Sequence, residues 1–192
     1  MRVGLDIDGV LADFISPFLR VLATRMGGGP IDPESITDPN FVNHPSIATE
    51  IISECIQNVS DDPRFWEALI PLPTPEQWRA LDRLSRSEQL VFVTHRYQRT
   101  TYDISRVTCD WLKKHGVSYP VVYFAQGHKS ELIAKLKVEL FVDDRHENCR
   151  DVAENTEALV LMPHRTYNQS FDHPRVQRIQ DLDELFAYLE RS

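Results

Sequence analysis

Long apolar runs, paired cysteines and an excess of basic residues are all missing from this chain of 192 residues. A membrane-spanning helix needs about 20 consecutive apolar residues, and no such stretch is present. Nor does a basic segment followed by an apolar one open the sequence, so neither secretion nor membrane insertion is expected. The three cysteines, Cys55, Cys109 and Cys149, are odd in number, far apart and without CxxC spacing. That argues against a disulfide framework or zinc site and for a reducing compartment, the cytoplasm. Each reads as a small buried hydrophobe. Lys and Arg number 21 against 29 Asp and Glu, a formal net charge of −8. Long nucleic acid is therefore not an expected partner, because a polyanion needs a basic face.

What is present is ordinary globular composition, 42% hydrophobic and 26% charged, in a length that suits one domain carrying an inserted subdomain. Five short apolar runs stand out: 3–7, 90–93, 121–124, 139–142 and 158–161. They are rich in β-branched and aromatic residues and do not alternate with polar ones, which is how strands buried on both faces of a parallel sheet read. Helical patterns lie between them. One opens at Pro75 with Trp78, Leu81 and Leu84 on a single face; a second carries Ile104, Val107, Trp111 and Leu112 and ends at Gly116. Residues 130–136 and 146–154 read as two more, and Leu182, Leu185, Phe186 and Leu189 mark a last one. Strands alternating with helices predict an α/β fold with right-handed crossovers.

Residues 14–73 break that alternation. A helix with Phe18, Leu19 and Leu22, its start capped by Asp13, ends at Gly27-Gly28-Gly29. A Pro- and Asp-rich stretch from Pro30 to Pro45 follows, then a helix with Ile47, Ile51, Cys55 and Val59. No strand is expected there. The reading is a helical insertion in a core made of residues 1–13 and 74–192.

Charged and hydroxyl groups follow the apolar runs with regularity. Asp6 and Asp8 leave the first run, Thr94 the second, Lys129 lies just past the third, and Asp143 and Asp144 leave the fourth. Open parallel sheets bind ligands outside the carboxyl ends of their strands, so these side chains are expected to converge. Crowded carboxylates repel one another, and their hard oxygens suit Mg²⁺, which would relieve the repulsion and offset the charge of a phosphate. Asp6 can then attack phosphorus as a nucleophile, with Asp8 as general acid and base. Thr94 and Lys129 can hold the transferring oxygens. His95 and Arg96 stand beside them, either as substrate contacts or as loop and ion-pair residues.

The segments DIDGVLAD (6–13), VFVTH (91–95), GHKSELI (127–133) and ELFVDDR (139–145) resemble, in this order, the motifs of the haloacid dehalogenase superfamily of phosphotransferases. The resemblance implies a Rossmann-like core, a parallel sheet flanked by helices, with a small helical cap inserted after the first strand. It also implies Asp6 as nucleophile, Asp8 as acid/base, and Thr94 and Lys129 on the phosphate. Metal contacts would come from Asp6, the Asp8 carbonyl and Asp144, with Asp143 just behind them. DGVLADF, FWEALIPLP (65–73), VDDR and TYNQ (166–169) look most like the 5′(3′)-deoxyribonucleotidases. That likeness implies a nucleoside monophosphate as substrate, with Phe14 and a second cap aromatic, Phe41, on the base; Phe18, Phe65 and Trp66 read as packing residues. Two departures stand beside the phosphate pocket: His95-Arg96 where Ser-Pro is usual, and His128 before Lys129.

Other phosphate chemistries fit less well. A receiver domain has its acidic pair before the phosphoacceptor, not last, and a dehalogenase needs no acid at position 8. A sugar phosphatase or phosphomutase shares DxDG and remains the alternative enzyme. A non-catalytic phosphate-binding regulator would be expected to have lost Asp6, Asp8 or Lys129. An apolar face on the insertion is compatible with a homodimer.

Overall fold

A computed structural model describes residues 1–41, 44, 47–99 and 101–191. Pro45, the expected end of the Pro- and Asp-rich stretch, lies outside the described residues. The chain opens with β1 (Val3–Leu5), β2 (Ala12–Asp13), α1 (Ile15–Met26), α2 (Thr49–Asp61), α3 (Pro63–Glu67) and β3 (Ile70–Pro71). It continues through α4 (Pro75–Arg86), β4 (Leu90–Thr94), α5 (Ile104–Lys114), β5 (Val122–Phe124), α6 (Lys129–Lys135) and β6 (Leu140–Val142). It closes with α7 (His146–Asn155), β7 (Leu159–Pro163), β8 (Val176–Ile179) and α8 (Leu182–Leu189).

Six parallel strands form the sheet in the order β5-β4-β1-β6-β7-β8. From β1 the chain moves to one side through β4 and β5, then returns to the other side at β6. The order reverses beside β1, and the crevice beyond such a reversal is where ligands bind in open α/β sheets. Register brings the expected residues to the same edge. Leu5 sits opposite Phe92 and Val142, so Asp6, Val93-Thr94 and Asp143 leave the sheet side by side.

The continuous apolar runs are explained by burial on both faces. On β4, Leu90 and Phe92 pack with Trp78, Leu81, Trp111 and Leu185 from α4, α5 and α8. Val91 and Val93 turn the opposite way, toward Ile133, Cys149 and Val152 from α6 and α7. Each fully buried Val, Leu or Phe contributes roughly 1.5–3 kcal/mol relative to exposure. Local signals fix the helix ends. Thr74 and Gln77 form a capping box at the start of α4, and Gly27 ends α1 in the left-handed region at φ 64°.

Helices α1, α2 and α3 fall between β1 and β4; Phe18 and Leu22 of α1 form an apolar cluster with Phe41 and with Cys55 and Val59 of α2, and Phe65 of α3 packs against it. Asp13 accepts the Ser16 amide at the start of α1.

Two expectations fail. The sheet has a sixth strand, β8, and the insertion is not free of strand: β2 and β3 pair antiparallel, Ala12 against Pro71 and Asp13 against Ile70. β8 escaped because its alternating burial at a sheet edge makes no apolar run. The ribbon escaped because each strand has two residues. It draws together the segments that precede α1 and follow α3. Among the described residues, no helix is long and apolar enough to cross a membrane.

Candidate active site

The loop after β1 is tightly wound. Leu11 and Ala12 donate their amides to the Ile7 carbonyl, and Gly9 donates to that of Ala12. Gly9 stands at φ 82°, and a Cβ there would overlap the Asp144 carboxylate. Glycine is required at this position for both conformation and space. The turn leaves Asp6 buried, its Oδ1 accepting the Ile7 amide at 2.8 Å.

Lys129 opens α6 and is buried, its Nζ 3.0 Å from Asp6 Oδ1 and 2.7 Å from Asp143 Oδ2. Asp143 also accepts the Arg145 amide and the Asn148 side-chain amide, so both of its oxygens are committed. Asp144 is held from one side only. Its Oδ2 accepts the Tyr167 hydroxyl at 2.5 Å, while Oδ1 is buried with no hydrogen-bond partner among the described residues. Oxygens of Asp6, Asp143 and Asp144 lie within 4.8 Å of one another, a group able to hold a metal ion.

Three buried carboxylates thus face one ammonium. Burial, then the charges of Asp143, Asp144 and Asp8, push the Asp6 carboxyl well above its ordinary range despite the opposing pull of Lys129. Burial and Asp143 push Asp144 up to about 7. Burial works against the Lys129 charge, yet Asp143 and Asp6 together hold its pKa above the ordinary value. The site is short of positive charge. A hard divalent cation fits both that shortage and the unpaired Asp144 oxygen.

Thr94 is buried at the end of β4 and lines the same cavity as Asp6, Asp8 and Asp144, about 650 Å³ in volume. His95 is half-buried, with Nε2 2.9 Å from the Gly127 carbonyl; burial, and after it Lys129, lower its pKa. Asp8 is gripped through both oxygens by Arg96, Nη2–Oδ1 at 2.6 Å and Nε–Oδ2 at 2.9 Å. Of the two readings offered for Arg96, the ion pair is the one in place.

The insertion supplies the opposite wall with Phe14, Ile52, Ile56 and Trp66. Phe14 lines the cavity, but its ring already stacks with Phe18 at 5.2 Å and Trp66 at 5.9 Å and meets Phe65 edge-on. Phe41 also lines the cavity and is 3% exposed, tilted 5.1 Å from Phe18, with a left-handed φ of 60°. Trp66, read from sequence as packing, carries the Arg96 guanidinium 4.6 Å from its ring centroid.

Sequence reasoning missed the groups behind Asp144. Tyr167 and Asn168 sit in a turn after β7, and Asn168 donates to the Asp144 and Pro163 carbonyls. Arg165 clasps the Gly9 carbonyl through Nε and Nη2. The TYNQ stretch was visible, but its contact with Asp144 spans a loop that only the fold closes. Tyr97, half exposed at the cavity rim, carried no sequence signal at all.

The fold is that of haloacid dehalogenase-type hydrolases of known structure. A HAD-superfamily hydrolase of subfamily IA from Geobacter sulfurreducens matches with a TM-score of 0.57, 16% identity, and coverage of 98% of this chain and 95% of that one. A HAD family hydrolase from Deinococcus radiodurans, solved with bound phosphate and sodium, matches at 0.58, with 14% identity over 99% and 95%. The chain belongs to the family described as 5' nucleotidase, deoxy (Pyrimidine), cytosolic type C, whose model matches residues 1–190, and is thereby a phosphoric monoester hydrolase. YqfW of Bacillus subtilis, provisionally named a nucleotidase, is 25% identical over 172 residues, 88% of this chain and 83% of its own.

Proposed function

We propose that the protein is a Mg²⁺-dependent nucleotidase that removes phosphate from (deoxy)ribonucleoside monophosphates through an aspartyl-phosphate on Asp6. The observation that carries the metal and the mechanism is the unpartnered, buried Asp144 oxygen in a site where oxygens of Asp6, Asp143 and Asp144 lie within 4.8 Å of one another. The matched family's description favours nucleotides over other phosphate esters, with pyrimidine deoxyribonucleotides first.

In the first step an Asp6 oxygen attacks phosphorus, the P–O ester bond breaks, and Asp8 hands a proton to the departing sugar oxygen. In the second, water attacks the phosphoaspartate, Asp8 takes its proton, and the bond from phosphorus to Asp6 breaks to release inorganic phosphate. Lys129 holds Asp6 in place and balances charge, with Asp143 fixing the ammonium from behind. Thr94 and His95 border the phosphate. Asp6, Asp144 and the Asp8 carbonyl would hold Mg²⁺, which supplies charge to the phosphate oxygens.

We read residues 14–73 as a cap over a core of residues 1–13 and 74–192, with Phe14 and Phe41 on the base side. The free thiols of Cys55, Cys109 and Cys149 suit a reducing compartment such as the cytoplasm.

The test is a phosphatase panel with and without EDTA. Nucleoside monophosphates should outperform hexose phosphates, Mg²⁺ should be required, and Asp6→Asn should abolish turnover while leaving the far-UV spectrum intact. Turnover that survives both EDTA and Asp6→Asn overturns the mechanism. Sugar phosphates ranking first overturn the substrate class alone.

A further inference from the structure

Arg96 is a cation buried at the base of the cavity, its side chain 1% exposed. It spends its donors on two partners. Nη2 and Nε take the two oxygens of Asp8, and Nη1 reaches Thr108 Oγ1 on α5 at 3.2 Å. The guanidinium carbon sits over the Trp66 ring of α3, 4.6 Å from the centroid. A paired fork of this kind fixes the plane of a carboxylate as well as its position, which a single ammonium cannot do.

That arrangement exceeds what holding the loop requires. The turn after β1 is already fixed by its own backbone hydrogen bonds and by the Arg165 clasp on Gly9. What those contacts leave free is the direction of the Asp8 side chain, which is 23% exposed and lines the cavity. Arg96 sets that direction. Arg96 is in turn in contact with Trp66 of α3, which is buried in the apolar cluster that packs on the sheet.

We propose that Arg96 is a positioning residue that aims the Asp8 carboxylate at the leaving oxygen and, through Trp66, makes that aim depend on the seating of the insertion. The inference rests on the reading of Asp8 as acid and base. It implies that the chain's proton donor is correctly placed only when α3 is docked.

Leaving groups of different basicity separate this role from a structural one. kcat/KM reports steps up to the first irreversible one, here transfer to Asp6. Nitrophenolate leaves without a proton, whereas a nucleoside alkoxide needs one. Arg96→Met should lower kcat/KM for a nucleoside 5′-monophosphate by about 100-fold, the low end of general acid catalysis, and for p-nitrophenyl phosphate by less than about tenfold. Arg96→Lys should fall between wild type and Arg96→Met. Asp8→Asn should show the same bias, and adding Arg96→Met to it should cost little more, because residues acting as a unit are not additive. Trp66→Phe should widen the ratio between the two substrates by about threefold, on the scale of a cation–π contact.

Equal losses on both substrates would overturn the proposal, as would a raised nucleotide KM with unchanged kcat, which would make Arg96 a substrate contact. An unchanged ratio in Trp66→Phe would remove the link to the insertion. Should Arg96→Met fail to fold, the ratio in Arg96→Lys decides. Failure of the underlying nucleotidase reading shows separately, as turnover by Asp6→Asn or no nucleotide turnover by wild type.

Discussion

The two walls of the cavity hold their side chains by different means. On the sheet edge, Asp6, Lys129, Asp143 and Asp144 are buried, linked by hydrogen bonds and ion pairs, and placed by a register that a one-residue slip would destroy. On the insertion, the wall is a packed set of rings and aliphatic groups, with Ile56 of α2 37% exposed. Polar ties also cross between the walls, with Arg99 and Tyr102 both donating to the Ser60 carbonyl of α2. Arg145 donates to Asn40, Asn40 donates to Glu147, and Thr166 donates to Glu34. Placement by backbone and charge suits bond making, which tolerates little displacement. Placement by apolar packing tolerates substitution and suits recognition. Changes to the first wall should therefore stop the reaction, and changes to the second should redirect it.

The sharpest way to break that contrast is Gly9→Ala, a single methyl on the sheet-edge wall. Left-handed backbone costs a non-glycine residue about 1–3 kcal/mol, and the added Cβ would collide with the Asp144 carboxylate. We expect kcat/KM to fall at least about 100-fold, the scale of a 1 Å misplacement, together with a lower melting temperature. Activity above a tenth of wild type would mean that the loop can relax and that the wall is softer than its hydrogen bonds suggest.

Tyr167→Phe tests the same wall one contact further out. The hydroxyl fixes Asp144 Oδ2 and leaves Oδ1 without a hydrogen-bond partner among the described residues. Loss of such an outer contact lowers metal affinity by roughly 10–100-fold. The Mg²⁺ activation curve should shift to higher concentration by about tenfold while kcat at saturating Mg²⁺ changes less. An unmoved curve would separate Tyr167 from metal binding.

How much of this was legible in the sequence follows from how local each feature is. Asp6, Thr94 and Asp144 each stand at the end of a buried strand or within two residues of it, so apolar runs alone indicated their common edge. Lys129 needed the order of motifs as well, being several residues past β5. Arg96 could be read as a substrate contact, a loop residue or an ion pair alike, since its partner Asp8 lies 88 positions away. Tyr167 meets Asp144 across 23 positions that include all of α7 and β7. β8 was hidden by its edge position, where Gln177 and Arg178 stand between Val176 and Ile179 and break the apolar run. In the insertion, periodicity revealed α1 and α2 but could not say which rings face the substrate, because aromatic residues serve packing and binding alike.

The smallest expected effect sharpens the second wall. Phe14 is the ring that resemblance puts against the base, yet three aromatic neighbours already engage it. Tyr97 is 53% exposed at the cavity rim, with no ring, ion-pair or hydrogen-bond partner among the described residues, so its ring is available to a base. Base stacking on an aromatic side chain is worth about 1–3 kcal/mol. Tyr97→Ala should therefore raise the nucleotide KM by about five- to tenfold, leave kcat within about twofold, and leave p-nitrophenyl phosphate hydrolysis unaffected, since that substrate carries no base. Phe14→Ala should behave differently, lowering the melting temperature first because it opens the packed ring cluster. A KM effect confined to Phe14→Ala would return the base to the position that resemblance implies, and an equal loss on both substrates in Tyr97→Ala would mean that the rim shapes the phosphate site instead.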